Sequence, residues 1–395
     1  MSFVYKNAVA AVSKPSLLVI LCPEDQSGWC KQLAEEGYDV AHIFSLSQAA
    51  DTAVEISKAV GDGPRGWAIL TYGLKYSASS LLSAAPSTRL PQAAVHFCPS
   101  IATGDELLIH RKDKTLVPTL VHLASSQEDL HASIVKHSVD PGYEIEVSDF
   151  NPVTVQTYPK VSANPPFPFT TLPPLLQLQA AATIVDSYLR SAVGLSYTRS
   201  LELLKRHLGP HYDLEKLWEM HTYYEFAERD ASKTMSTMVA TPYVNHIPTM
   251  TGGLGHDELA RFYKYHFTKE NVTPPDTELI TISRTVGADR IIDEMIFKCT
   301  HTTEIDYFLP GVAPTGKPLE IALVGVVAFR GDKLTFEHIY WDQASALVQL
   351  GLLSTKELPV AGVEVARKVV NPFGLPSNTL MAKWKESEGL PLTDD

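Results

Sequence analysis

Cysteine is scarce in this chain: four residues (Cys22, Cys30, Cys98 and Cys299) in 395, widely spaced and with no CxxC pair. That excludes a disulfide framework, and because Cys22 and Cys98 end apolar runs they read as reduced core thiols. The fourteen histidines include no HExxH or HxH pair. His207 and His211 are separated by Gly209-Pro210 and cannot share a helical face, so no metal site is expected. The GGLG at 252–255 is not the glycine pattern of a dinucleotide site, and no cofactor is expected. Long apolar runs are also missing. No stretch approaches the roughly 18 residues of a membrane span, and the N-terminus MSFVYKNAVAAVSKPS has no charged start followed by an apolar segment. A soluble, cytoplasmic protein without a membrane partner is expected. Basic residues are outnumbered 33 to 45, for a net charge of −12. Without a basic run interleaved with aromatics, no nucleic-acid partner is expected.

What is present is enough apolar sequence, 45% of 395 residues, to bury two or three cores. Short β-rich runs open the chain: Ser16–Cys22, Tyr38–Phe44, Gly66–Tyr72, Ala93–Cys98 and Pro118–Ala124. Helical stretches at Trp29–Glu36 and Ser47–Val60, the latter with Ser47 as N-cap, separate the first three. Near-continuous apolar strands alternating with helices predict an α/β unit with a parallel sheet covered on both faces. Six prolines between Pro159 and Pro174 then interrupt regular structure. A helix is predicted over Leu175–Leu189, and a further helical or linking piece around Ser200–His207.

From about Gly209 the order changes to helices first and long strands afterwards, an α+β arrangement. Asp213 caps a helix with Leu214, Leu217, Trp218, His221 and Tyr224 at helical spacing. A second helix covers His256–His266. Strands follow at Leu279–Val286, Arg290–Thr302, Leu319–Arg330 and, after the Gly331-Asp332 turn, Lys333–Trp341. The expected divisions are 1–192, a linker or helix at 193–208, a second domain at 209–355, and a tail at 356–395 lying on the surface.

The element order of the first 192 residues resembles the α/β-hydrolase fold, more narrowly dienelactone hydrolase. That resemblance implies a nucleophile on a tight strand-to-helix turn. The matching stretch, GWAILTYGLKYSASS, has Gly73 at or next to the nucleophile position, and no GxSxG or GxCxG occurs anywhere. The acid position falls near Glu128 or Asp129, and the histidine position falls on Ala163 or Asn164. With two of three triad roles empty, acyl transfer has no attacking group. Ser77, Ser79 or Ser80 with His96 or His122 would be the only substitutes.

The stretch 209–352 resembles SnoaL-like members of the nuclear transport factor 2-like family (polyketide cyclase and ketosteroid isomerase types). The likeness rests on the opening helix, YVNHIPTMTGG at 243–253, DEMIFKCTHT at 293–302 and GDKLTFEHIYWDQASALVQLGLL at 331–353. It implies a cone in which a curved antiparallel sheet and helices enclose an apolar pocket for a small-molecule substrate or ligand. It also implies a homodimer.

Strand alternation puts Asp293, Met295, Phe297, Cys299 and His301 on one face. Asp293 and His301 lie ~27 Å apart on a straight strand, so only one would reach a small substrate. On the last strand Leu334, Phe336, His338, Tyr340 and Asp342 share a face opposite Glu337, Ile339 and Trp341. The resemblance matches Asp342 to an acid/base carboxylate and sets His246 at the pocket mouth. His221 and Glu225 share a helical face. Catalytic candidates are therefore His246 and Asp342 as the acid/base pair, with His221, Asp293 and His301 orienting the substrate. Tyr243, Trp218, Met295, Phe297, Trp341 and Tyr340 are the expected substrate-binding walls. The expected function is cofactor-independent acid/base chemistry (cyclisation, isomerisation, dehydration or hydrolysis) on a small apolar carbonyl compound. The alternative is a non-catalytic ligand-binding or dimerisation protein built from two retired enzyme domains.

Overall fold

The structure, a computed structural model, describes residues 2–44, 48–83, 89–138, 152–163 and 186–392. Ser47, Asn164 and most of the helix expected over Leu175–Leu189 lie outside the described residues. Two compact units emerge: Met1–Tyr212 with Arg330–Asp332, and Asp213–Phe329 with Lys333–Asp395.

In the first unit the apolar runs become strands: β1 (Ser2–Tyr5), β2 (Leu17–Leu21), β3 (Asp39–Ile43), β4 (Trp67–Tyr72), β5 (Ala93–Phe97), β6 (Thr119–Ala124) and β7 (Val153–Tyr158). They form one sheet in the order β1-β3-β2-β4-β5-β6-β7. β1 runs antiparallel to β3, while β2 through β7 pair in parallel. Helices α1 (Ser27–Glu35), α2 (Ala49–Val60), α3 (Ala78–Ser83), α4 (Glu128–Ser138) and α5 (Ser187–Leu208) follow in chain order. Alternation along each strand feeds two cores. Leu17, Val19, Ala41 and Ile69 pack on one side with Ile56 and Leu81. Leu18, Ile20, Val40 and Leu70 pack on the other with Cys30, Leu33, Leu201 and Leu204. Burial on both faces is why these strands lack a polar stripe.

Of the two forms expected for 193–208, linker or helix, the residues form the body of α5, a single 22-residue helix, and Leu201 and Leu204 pack into the first unit's core. Ser196 and Ser200 are buried, and Ser200 donates to the Ser196 carbonyl at 2.7 Å while meeting His122 Nε2 at 3.0 Å.

The second unit opens with α6 (Leu214–Thr222), capped by the Asp213 side chain accepting from the Lys216 N–H. It continues through α7 (Ala231–Ser236), β8 (Met238–His246), β9 (Thr251–Leu254) and α8 (His256–Phe262). The long strands are β10 (Glu278–Val286), β11 (Arg290–Thr300), β12 (Pro318–Arg330) and β13 (Lys333–Trp341), followed by α9 (Gln343–Gln349) and α10 (Glu364–Val370). The sheet order is β10-β11-β12-β13-β8-β9. β8 pairs in parallel with β13, and β10–β11, β11–β12 and β8–β9 are antiparallel.

Two local irregularities place the site. Both α6 and α8 widen at their ends into π-helical turns, Tyr223–Ala227 and Tyr263–Phe267. A wider turn changes the direction in which successive side chains leave the helix, and such turns recur at functional sites. The β13–β8 pairing also slips between Leu334 and Phe336, where two steps on β13 span Met238 to Tyr243 on β8. A slip of that kind inverts inside and outside along the rest of the strand. The inward face is therefore Glu337, Ile339 and Trp341. Tyr340 is 42% exposed.

Candidate functional site

The buried face of α6 carries Trp218 and His221 into the second unit, and the π turn that follows sets Glu225 four residues on from His221. His221 is fully buried. The Thr237 hydroxyl donates to the Thr234 carbonyl, so its oxygen accepts from His221 Nδ1–H at 2.6 Å. The other nitrogen, Nε2, lies 3.1 Å from Glu225 Oε1 and 3.0 Å from Glu337 Oε1. Both ring nitrogens thus act as donors, which is the imidazolium form. Burial pulls His221 towards neutrality, but the charges of Glu225 and Glu337 outweigh it and hold the ring up at about 10.

Glu337 is the inward carboxylate of β13. Its Oε1 is as close to His221 Nε2 as that of Glu225, 3.0 against 3.1 Å, so the two carboxylates share one imidazolium N–H. Burial raises the pKa of Glu337 above the ordinary carboxylate range, the His221 charge opposes that, and Glu225 adds to it. Tyr263, on the second π turn, places its hydroxyl 3.4 Å from His221 Nε2. Burial and then the charges of Glu337 and Glu225 push the phenol well above its usual value. Sequence reading found His221 and Glu225 by their helical spacing but passed over Glu337. The available signal was a lone carboxylate alternating with Ile339 and Trp341.

His246 approaches from β8. Glu337 pairs with Val244 and Ile339 with His246 across the parallel ladder, so Glu337 and His246 are one step apart on the same face. Its Nδ1 contacts the Thr251 carbonyl at 3.2 Å. A carbonyl only accepts, so Nδ1 carries the proton and Nε2 keeps the lone pair. Burial lowers the ring to about 4, against smaller opposing effects of Thr251 and Glu337. A neutral imidazole and a charged one therefore sit on either side of Glu337.

These groups border a narrow, largely apolar cavity of about 50 Å³. Glu225, Glu337, His246 and Tyr263 supply its polar edge, and Trp218, Phe226, Phe267, Met295, Phe297 and Tyr307 are among its walls. His221 stands behind the two carboxylates. Trp218, Thr222, Phe226, Leu279 and Met295 also line a wider cleft of about 420 Å³, which adds Glu219, Tyr223 and Arg284. The donor atoms of His221, Glu225 and Glu337 lie within 4.8 Å of one another, a set able to hold a divalent cation, although His221 as an imidazolium has no lone pair to offer.

The remaining candidates are placed elsewhere. Asp342 is the N-cap of α9, accepting from Ala344 N–H at 3.0 Å and from the Ser345 hydroxyl at 2.9 Å. It is not in the cavity, because the β13 slip sends its face outward. Asp293 borders the wider cleft but is clamped by Arg284 at 2.7 and 2.8 Å and by Trp218 Nε1 at 2.9 Å. His301 meets Thr315 at 3.1 Å and lies outside both hollows. Trp341 stacks on Phe308 at 4.3 Å, one layer behind the wall, and Tyr243 packs its edge on His338. Trp218, Met295 and Phe297 line the cavity.

Residues 219–350 match the family described as SnoaL-like polyketide cyclase. No curated protein matches the chain. Similar solved structures include a proposed polyketide cyclase from Acidithiobacillus ferrooxidans, 18% identical over 37% of this chain and 99% of that one, with a TM-score of 0.28. Another is a proposed SnoaL-like polyketide cyclase from a Jannaschia species, 14% identical over 37% and 99%, with a TM-score of 0.28. A third, a hypothetical protein with a ketosteroid isomerase-like fold from Catenulispora acidiphila, is 12% identical over 35% and 94%, with a TM-score of 0.27. The likeness rests on the family match, which makes residues 219–350 similar to SnoaL-like polyketide cyclases over that stretch.

Proposed function

We propose that the second unit is a cofactor-independent acid/base catalyst acting on a small apolar carbonyl compound. The observation that carries this reading is Glu337, a buried carboxylate with a raised pKa at the edge of an apolar cavity. A carboxylate so placed is a stronger base than one in water. In this reading Glu337 removes a proton next to the substrate carbonyl. The Tyr263 hydroxyl donates a hydrogen bond to the oxygen where charge develops, while the free lone pair of neutral His246 Nε2 accepts a proton or hydrogen bond from elsewhere on the substrate. Glu225 and the His221 imidazolium fix the position of Glu337 and set its basicity. A cavity this narrow favours a small or flat substrate.

The test is Glu337→Gln, which keeps the shape and removes the base. kcat should fall by about 10²–10⁴ with KM nearly unchanged, and a variant with full turnover would remove the assignment. The pair expected from sequence, His246 with Asp342, is replaced here by His246 with Glu337.

For the first unit we propose a hydrolase-like scaffold without acyl-transfer chemistry. Gly73 follows β4 with φ +60° and offers no side chain. His96 bonds Thr71 at 2.9 Å, and burial lowers it to about 4. His122 lies between Tyr158 and Ser200 and is lowered to about 3 by burial and by Arg199. Both are buried core imidazoles: His122 has both ring nitrogens partnered, and His96 Nε2 is sealed in the core without a partner among the described residues, away from any attacking group. Stoichiometric labelling of a serine in this unit by a fluorophosphonate would overturn this reading. We further propose that the chain forms homodimers, supported by Ile280, Ile292, Val324 and Tyr340, which are exposed on four neighbouring strands.

A further inference from the structure

Outside the second unit, one cluster of ligating side chains has no part in the function proposed above. β2 ends at Leu21, and the next residue, Cys22, stays on the face of Leu18 and Ile20. Ile20 pairs with His42 on β3, so Cys22 and His42 are one step apart on the same face of adjacent parallel strands. α1 crosses that face and brings Cys30 down onto them. All three residues are fully buried, at 0% exposure. Their donor atoms lie within 4.8 Å of one another, and Cys22 Sγ is 3.1 Å from His42 Nε2. The Nδ1 of His42 is buried without a partner.

We propose that Cys22, Cys30 and His42 bind one thiophilic d10 ion, Zn²⁺ or Cu⁺, as a structural clip joining β2, β3 and α1. The donor set is two thiolate sulfurs and one imidazole, the combination such ions prefer over oxygen-seeking cations. Its size fits. Zinc–sulfur and zinc–nitrogen bonds of about 2.3 and 2.0 Å put sulfur and nitrogen roughly 3.5 Å apart around a tetrahedral ion, so Cys22 and His42 need separate by only about half an ångström. His42 Nε2 also lies 3.0 Å from the Cys22 carbonyl, which only accepts, so this nitrogen carries a proton when no ion is bound. An ion would take the place of the protons these groups share and release them.

Burial separates this reading from a catalytic Cys–His pair. A nucleophile must be reached by its substrate, and 0% exposure on all three residues prevents that. A metal ion taken up during folding has no such requirement. The position is also apt, since the carboxyl ends of parallel strands are where open α/β sheets collect ligands. Sequence patterns miss the site because the C-x7-C spacing matches no zinc motif and the histidine arrives from another strand.

The test uses the full chain, reduced, unfolded and refolded with a chelator, then given one equivalent of Co²⁺, Zn²⁺ or Cu⁺. Expected is a thiolate-to-cobalt charge-transfer band saturating at one ion per chain. Zn²⁺ or Cu⁺ should raise Tm by about 5 °C or more, and the larger rise identifies the resident ion. Cys30→Ala and Cys22→Ala should lose both band and shift, while Cys98→Ala, a buried thiol in the same unit, keeps them. His42→Gln, which keeps both thiols, should weaken binding by at least about tenfold and serves if the cysteine variants do not fold. Absence of the band with no metal-dependent Tm overturns the proposal, as does an unaltered band in Cys30→Ala.

Discussion

Glu337 and Asp342 show how close the two residue-scale readings stood. Glu337 sits in the middle of β13 and Asp342 directly follows its end, but only Glu337 reaches the cavity, and Asp342 caps α9. Replacing Asp342 by Ala should cost about 1 kcal/mol of stability and leave turnover unchanged, as measured by urea denaturation alongside steady-state kinetics. Glu337 must be ionised to act as a base, and its pKa is raised. The acid limb of kcat/KM should therefore lie above the ordinary carboxylate value of about 4.3, with activity falling as pH drops through it. A limb at or below that value would remove Glu337 as the base.

At the scale of elements, apolar runs made every strand from β2 to β6 legible, because strands buried on both faces carry no polar punctuation. His221 and Glu225 were legible for a similar reason: an i, i+4 pair survives any detail of packing. The inward face of β13 was not. Strict alternation presumes a regular ladder, and the slip between Leu334 and Phe336 is set by the partner strand, which local sequence does not contain. Deleting Thr335 should shift the strand by one residue and bring Phe336 or His338 inward in place of Glu337. Turnover would be lost while the circular dichroism of the sheet persists. Asp293 belongs to this scale too. Its pairing with Arg284 and Trp218 ties α6 to β10 and β11, and Asp293→Asn should destabilise the fold by roughly 1.5–3 kcal/mol by leaving Arg284 only its more exposed partners Glu215 and Glu219.

At the scale of the molecule, two histidines shape the second unit's response to pH. Folding strengthens the hold of His221 on its proton, so the native state binds more protons than the unfolded chain between about 6.5 and about 10. Stability falls as pH rises through that window. His246 is the reverse: its ring is lowered to about 4, so stability falls as pH drops from about 6.5 towards 4. Unfolding of the second unit should be hardest near neutrality, and His246→Phe should flatten the acid side of the curve. Association is a separate test. Ile292→Glu on the exposed sheet face should convert a light-scattering dimer into a monomer, and a wild-type monomer at micromolar concentration would remove the homodimer.

The walls around Glu337 have one more consequence. Trp218, Phe226, Phe267 and Met295 leave little room for bulk water beside the carboxylate, so a hydrogen lifted from the substrate exchanges slowly with the medium. Run in heavy water and stopped at partial conversion, the reaction should return unconsumed substrate almost free of deuterium, as read by mass spectrometry.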